Sequence, residues 1–416
     1  MRHAHLFARM SMLRNPVDAG PIKPEQTAGP RTGAGLTYVL LSIAGFAIGA
    51  NIRITDPLLP TFAAEFGTTV GAAATVAMVF AFAHGALQIV YGPLGDRIGK
   101  LPIIATAAVA SGIISIATAV AGSLAGLAGL RLLSGLATAA IVPLALAFVG
   151  DTTTYARRHV ALARFTSAVL LGLMCGQIIG GLIAEFLGWR AVFYFIGAVF
   201  IVAGIGLLLS PELRAQRRAR NKSSGNGYAD VFRLFKRPAV RHVLAAVCAQ
   251  GAISFTTAAF VGAHLHDRFA FSLGAIGLML GLFAAGGIVY SFIAAPTITR
   301  YGERGALMIG GLMFGASFLA MALAGYWQVF APALLLAGIG LMMVHNILQV
   351  RATQMAPEAR GAALSLFAAM IFLGQTAGFA VASPVYDHFG AMPILLTAAF
   401  GFPIIAFGFR NTIPKS

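Results

Sequence analysis

The 416 residues are 58% hydrophobic and 10% charged, against roughly a quarter charged in a soluble domain, and the mean hydropathy is +0.85. So much apolar side chain excludes a water-soluble globule, and most of this chain is solvated by lipid. The net charge of +16 does not point to nucleic acid, because Lys and Arg fall in the gaps between apolar segments and no aromatics interleave with them to form a groove.

Residues 1–33 are polar, with Arg2, Arg9, Arg14, Lys23 and Arg31 spread along them. No compact apolar core precedes a cleavage site, so a cytoplasmic tail is expected, not a signal peptide. Six apolar segments follow, near 35–61, 69–93, 101–122, 124–150, 159–187 and 189–210. Each is long enough to cross a bilayer, and none alternates as a barrel strand would, so helices are expected. The stretch 211–238 is the one long linker, basic throughout with a Ser-Ser-Gly-Asn-Gly core at 223–227. Its 229–237 portion reads as solvated linker, with a segment lying on anionic lipid as the alternative. Six more segments follow near 239–262, 273–298, 305–327, 329–350, 361–386 and 391–410, before a short tail over 411–416. This makes two six-helix halves, 34–210 and 239–410.

Adding 203 to a number pairs Pro93 with Pro296, Arg97 with Arg300, Gly99 with Gly302 and Arg157 with Arg360. Such a parallel repeat implies two halves related by an axis along the membrane normal. In the second copy Thr299 stands where Asp96 stands. The alternate gaps that share a side with the tails hold 25 of the 29 basic residues, which predicts that both termini are cytoplasmic.

Ionisable residues inside spans are costly and by default mark function. Arg53 and Asp56, three apart, share a face of span 1. Either Asp56 exchanges a proton for substrate, or the pair only neutralises itself. Arg131 in span 4 is a fixed charge that biases a neighbouring carboxylate, attracts an anion, or holds helix-end carbonyls. Gly172, Gly176, Gly180 and Gly181 in span 5, with Gln177 among them, allow another helix close approach. His84 and Gln88 in span 2, and His345 and Asn346 in span 10, are candidates to line a polar cavity or to make interhelical hydrogen bonds. His264 and His266 beside Asp267 read as a solvated loop, not a metal site. Cys175 and Cys248 lie in apolar segments and suggest neither a disulfide framework nor a metal site. No phosphate-cradling glycine loop and no nucleophile–base set stands out, so neither ATP drive, an enzyme nor a cofactor is expected.

The run Gly92-Pro93-Leu94-Gly95-Asp96-Arg97-Ile98-Gly99-Lys100 is a charged segment between two spans, and its glycines and proline predict that no helix runs straight through it. It resembles the signature loop of the major facilitator superfamily, with Leu101 in place of the last basic residue. Asp56 four residues before Pro60 resembles helix 1 of the family's multidrug/proton antiporters. Arg131-Leu132-Leu133-Ser134-Gly135 is similar to the helix 4 motif, with Ser134 for glutamine. The span 5 glycines are similar to the antiporter motif, with Gln177 for proline. The resemblance implies an all-α, twelve-helix transporter of the plasma (inner) membrane, working by alternating access as a monomer on a small-molecule substrate. It implies proton-coupled efflux, with import or exchange of sugars or organic acids as the alternative and a non-transporting receptor or scaffold as the rival from another class. Asp96 is expected to latch onto helix 11 when the protein faces outward.

Overall fold

The structure, a computed structural model, describes residues 34–218, 234–355 and 360–413. The predicted tail 1–33, the linker core and most of the 229–237 segment, and residues 414–416 lie outside them. Among the described residues there is no strand. Eleven helices are long and apolar enough to cross a membrane, and the longest, Leu273–Leu323, turns at Gly302 into two spans, making twelve.

The first half holds α1 (Gly35–Glu65), α2 (Val70–Ile98), α3 (Lys100–Ala119), α4 (Leu124–Thr152), α5 (Tyr155–Leu187) and α6 (Trp189–Leu209). A short helix, Pro211–Arg218, opens the linker. The second half holds α7 (Pro238–Phe269), α8 (273–301), α9 (303–323), α10 (Phe330–Gln354), α11 (Arg360–Phe389) and α12 (Met392–Arg410). Each half has its own apolar core, and Leu59 of α1 with Ala74 and Ala77 of α2 joins the core of the second.

The repeat is written into the backbone. Six described residues have positive φ, and they pair across the halves: Gly67 with Ala270, Gly99 with Gly302, and Gly188 with Gly390. The turns thus keep their geometry even where one copy has lost its glycine, as at Ala270, φ 53°.

One expectation is corrected. A helix does run through Gly92, Pro93 and Gly95, and α2 ends only at Ile98. The break is the single residue Gly99, φ 105° and ψ 140°, and Lys100 opens α3. Proline in a membrane helix removes one hydrogen bond that neighbouring helices can compensate. Gly95 faces the Leu144 side chain of α4, so its missing side chain serves packing and not a turn.

Without a hydrophobic force between helices in lipid, close approach decides the packing. α1 pairs with α5, α3 with α6, and in the second half α7 with α11 and α9 with α12. The halves meet through α5 against α8 and α2 against α11. At the Glu65 end each of these contacts is tied by a carboxylate. Asp387 at the end of α11 accepts from the Thr69 hydroxyl at 2.7 Å and the Gly71 amide at 2.8 Å, at the start of α2. Glu185 at the end of α5 accepts from the Ser272 hydroxyl at 2.8 Å and the Gly274 amide at 2.6 Å, at the start of α8. Each acid sits at a helix N-terminus, where negative charge is favoured. A side chain at Gly71 or Gly274 would occupy the space of its carboxylate.

Candidate functional site

α1 is helical to Arg53, loosens at Ile54 and Thr55, makes a single 3-10 turn over Asp56–Leu58 and resumes at Leu59. Pro57 and Pro60 explain the interruption, since neither can donate a backbone hydrogen bond. Asp56 lies in the break and is 1% exposed. Its Oδ2 accepts from Gln177 Nε2 of α5 at 3.2 Å and lies 3.5 Å from Arg53 Nη1, while Oδ1 has no hydrogen-bond partner. The Arg53 guanidinium carbon lies over the Phe255 ring of α7, 4.1 Å from its centre. The residue that replaces the motif's proline therefore holds the carboxylate of the helix 1 motif.

A second buried cluster adjoins the break. Arg131 of α4 donates to Asn51 Oδ1 at 2.8 Å and to the Asn51 carbonyl at 3.0 Å, and stacks over Phe80 at 4.1 Å. Asn51 Nδ2 in turn donates to Ser134 Oγ at 3.0 Å. The Arg131 charge thus rests on neutral groups and pins α1 to α4 just before the interruption.

A cavity of about 150 Å³ lies between the halves. Arg53, Gln177, Phe255, Phe283, Met342 and His345 are on its wall. Gln250 Nε2 faces His345 Nδ1 at 3.2 Å. The structure thus brings together Arg53, Asp56, Gln177 and His345, drawn from α1, α5 and α10. It places His84 elsewhere: the ring is buried between Phe80 and Phe372, with Nδ1 3.1 Å from Thr138 Oγ1. Gln88 is buried one turn further along α2, and Asn346 is half-buried on α10, outside the cavity wall.

At the opposite end from the two carboxylate caps, Lys100 ion-pairs with Asp151 of α4 and lies 3.6 Å from Asp96. Glu303 occupies the position 203 residues after Lys100 and ion-pairs with Arg351 of α10. The second signature segment has lost its Asp96 but keeps a clamp of reversed sign.

The sequence profile of the Major Facilitator Superfamily matches residues 41–273 and again 243–415. The chain belongs to this superfamily. Over 383 residues, 89% of this chain and 94% of the relative, it is 23% identical to the uncharacterized MFS-type transporter YceJ of Bacillus subtilis. Over 198 residues, 46% of this chain and 39% of the relative, it is 27% identical to the multidrug export protein EmrB of Escherichia coli. A crystal structure of the nucleoside transporter NupG superposes with a TM-score of 0.75, covering 91% of this chain and 99% of NupG at 16% identity, which shows a shared fold. The chain is a multi-pass membrane transporter and not an enzyme.

As a major facilitator protein it is asymmetric in its buried charges. Adding 203 takes Arg53 to Thr256, Asp56 to Ala259 and Arg131 to Leu334, so among the described residues the buried Arg and Asp side chains all lie in the first half. The glycine stripe, in contrast, is duplicated. Gly172, Gly176 and Gly180 abut Phe46, Ala50 and Ile54 of α1, while Gly181 faces α8 at Leu273. In the second half Gly374 and Gly378 abut Cys248 and Ala252 of α7, a pair that glycine abundance hides in the sequence. Asn51, Gln250 and Phe255 also went unseen, because a lone amide or aromatic in an apolar run carries no sign of its partner. Gly176→Val drives a side chain into the Ala50 backbone; the expected cost is about 1–3 kcal/mol or more. It should lower the yield of monodisperse protein and its Tm, whereas Gly129→Val, which meets open space, should change neither.

Proposed function

We propose that this transporter is a proton-coupled secondary transporter of a small organic molecule, with the cavity as its binding site and Asp56 as its proton carrier. The observation that carries this reading is a buried carboxylate at a helix break, one contact away from a cavity shared by both halves. Broken helices at a repeat interface are where transporters of this build hold their ligands. Export is the direction supported by the likeness to EmrB and to the chloramphenicol resistance protein of Pseudomonas aeruginosa, 29% identical over 187 residues. Uptake or exchange of organic acids is the second reading, favoured by the Arg53 charge on the cavity wall. The test is flux in proteoliposomes under an imposed pH gradient across a compound panel. Movement against the proton flow supports export, movement with it supports uptake, and no proton-dependent flux of any compound sinks the coupling.

Alternating access requires each end to close in turn. The carboxylate caps close the Glu65 end, which the charge rule places outside. Asp96 serves the opposite conformation, by engaging α11 when the signature end closes. Asp96→Asn should therefore leave the protein in the membrane and slow turnover, because a charge-assisted contact present in only one state biases the populations. Wild-type turnover in that variant removes Asp96 from the cycle. Tags on both termini should be reachable only from the cytoplasm, and labelling of either in intact cells would reverse the orientation.

A further inference from the structure

We propose that the cavity takes a small organic anion, a carboxylate or group of similar charge on a largely apolar body, bound through Arg53 and His345. This rests on the reading of the cavity as the transport site, and its loading order matches the uptake reading, since protonation of Asp56 and anion binding support each other.

The charges in the spans do not balance. Among the described residues, the buried charged side chains are Arg53, Arg131 and one carboxylate, Asp56. Arg131 turns to neutral Asn51, so a single carboxylate faces two guanidinium groups and one positive charge is left over. An uncompensated charge in a low-dielectric interior is costly. Arg53 is the charged residue among those lining the cavity, and its partner Asp56 is not one of them. Its bond to Asp56 is loose at 3.5 Å, against roughly 2.7–2.9 Å for a well-made charge-assisted bond. The Phe255 ring, 4.1 Å from the guanidinium carbon, anchors the group from one side without supplying a counter-charge.

The rest of the wall fits the same ligand. His345, also on the wall, offers an imidazole as a second hydrogen-bonding group, and Gln250 holds the ring through Nδ1. Leu170, Leu173, Phe283, Leu341 and Met342 supply an apolar surface for the body. About 150 Å³ is small beside the roughly 300–1,000 Å³ of pockets for drug-sized molecules, so a body of about one ring fits. An organic cation would face Arg53 without an opposing acid.

Asp56 and the ligand compete for Arg53. Gln177 from α5 also binds the carboxylate, and Arg131 from α4 adds a second positive charge nearby. Once Asp56 is neutral, the anion has Arg53 to itself. Proton and anion therefore load together.

The test is equilibrium binding to the purified full chain, by calorimetry and thermal shift. The probes are benzoate, cyclohexanecarboxylate and octanoate, each beside its uncharged amide, with benzylamine as the cationic control. At least one acid should bind and its amide should not. Arg53→Gln should weaken that acid by roughly tenfold or more, with Arg53→Lys keeping part of the affinity. Asp56→Asn should tighten it, a gain that misfolding cannot mimic. Binding by the amides or the amine as strong as by the acids overturns the proposal, as does binding by no acid, or no response to Arg53→Gln. Binding needs no gradient, so lost coupling in the liposome assay leaves this result standing. An acid that binds but is never moved sinks the transport reading alone.

Discussion

Asp56→Asn should abolish flux driven by a pH gradient, while substrate counterflow should persist. Asp56 is the one carboxylate among the buried polar residues described, and it sits in the only interrupted turn of α1. The other described acids lie at helix ends: Glu65, Glu185, Asp267 and Asp387 at one face of the membrane, Asp96, Asp151, Glu212 and Glu303 at the other. A proton crossing on a side chain therefore has Asp56 as its carboxylate. Asparagine keeps the shape and the Gln177 contact but cannot exchange a proton. Arg131→Ala is the contrasting variant and should lower both fluxes, because it unpins Asn51 from α4. The measurement is gradient-driven flux beside counterflow for each variant in liposomes. Full proton-driven flux in Asp56→Asn would move the role to His345, the histidine on the cavity wall.

Glu185→Ala combined with Asp387→Ala opens the Glu65 end. The two acids make four hydrogen bonds across the halves, at 2.6–2.8 Å, and each faces a helix N-terminus. Both acids are exposed, so screening reduces their worth, and together they stabilise the closed end by about 1–3 kcal/mol. That corresponds to roughly a 5- to 150-fold change in the ratio of closed to open ends. Ala258→Cys reports on this, since Ala258 lies on the cavity wall and is 1% exposed. With Cys175 and Cys248 replaced by alanine, labelling by a membrane-impermeant thiol reagent from the Glu65 side should accelerate by that factor. An unchanged rate would show that the caps do not hold this end shut.

Hydropathy and chain order were enough to predict twelve spans in two halves, and the resemblance of the 92–100 segment pointed to the family. Lipid enforces these features on every apolar run of about 20 residues, whatever its partners. The residues with an intrinsic membrane cost were legible for the same reason. Arg53, Asp56 and Arg131 stand out in apolar sequence, and the structure finds all three buried. The glycines of α5 were legible because spacing of four is a local property of a helix, and three of them do meet α1.

What the sequence left open is which face of each helix turns to which neighbour. Rotation about a helix axis is set by packing, and no local pattern encodes it. Packing turns His345 to the cavity and His84 away from it, although both are histidines in apolar spans. It makes Gln177, which breaks the family motif, the donor to Asp56, and Asn51 the partner of Arg131. It brings Glu185 to Ser272 and Asp387 to Thr69 across more than 80 residues of chain in one case and more than 300 in the other. It also carries α2 through Pro93 to Ile98, because neighbouring helices supply the support that the local sequence lacks. Composition determined what crosses the membrane; close contact between helices decided where the charges, the cavity and the two caps meet.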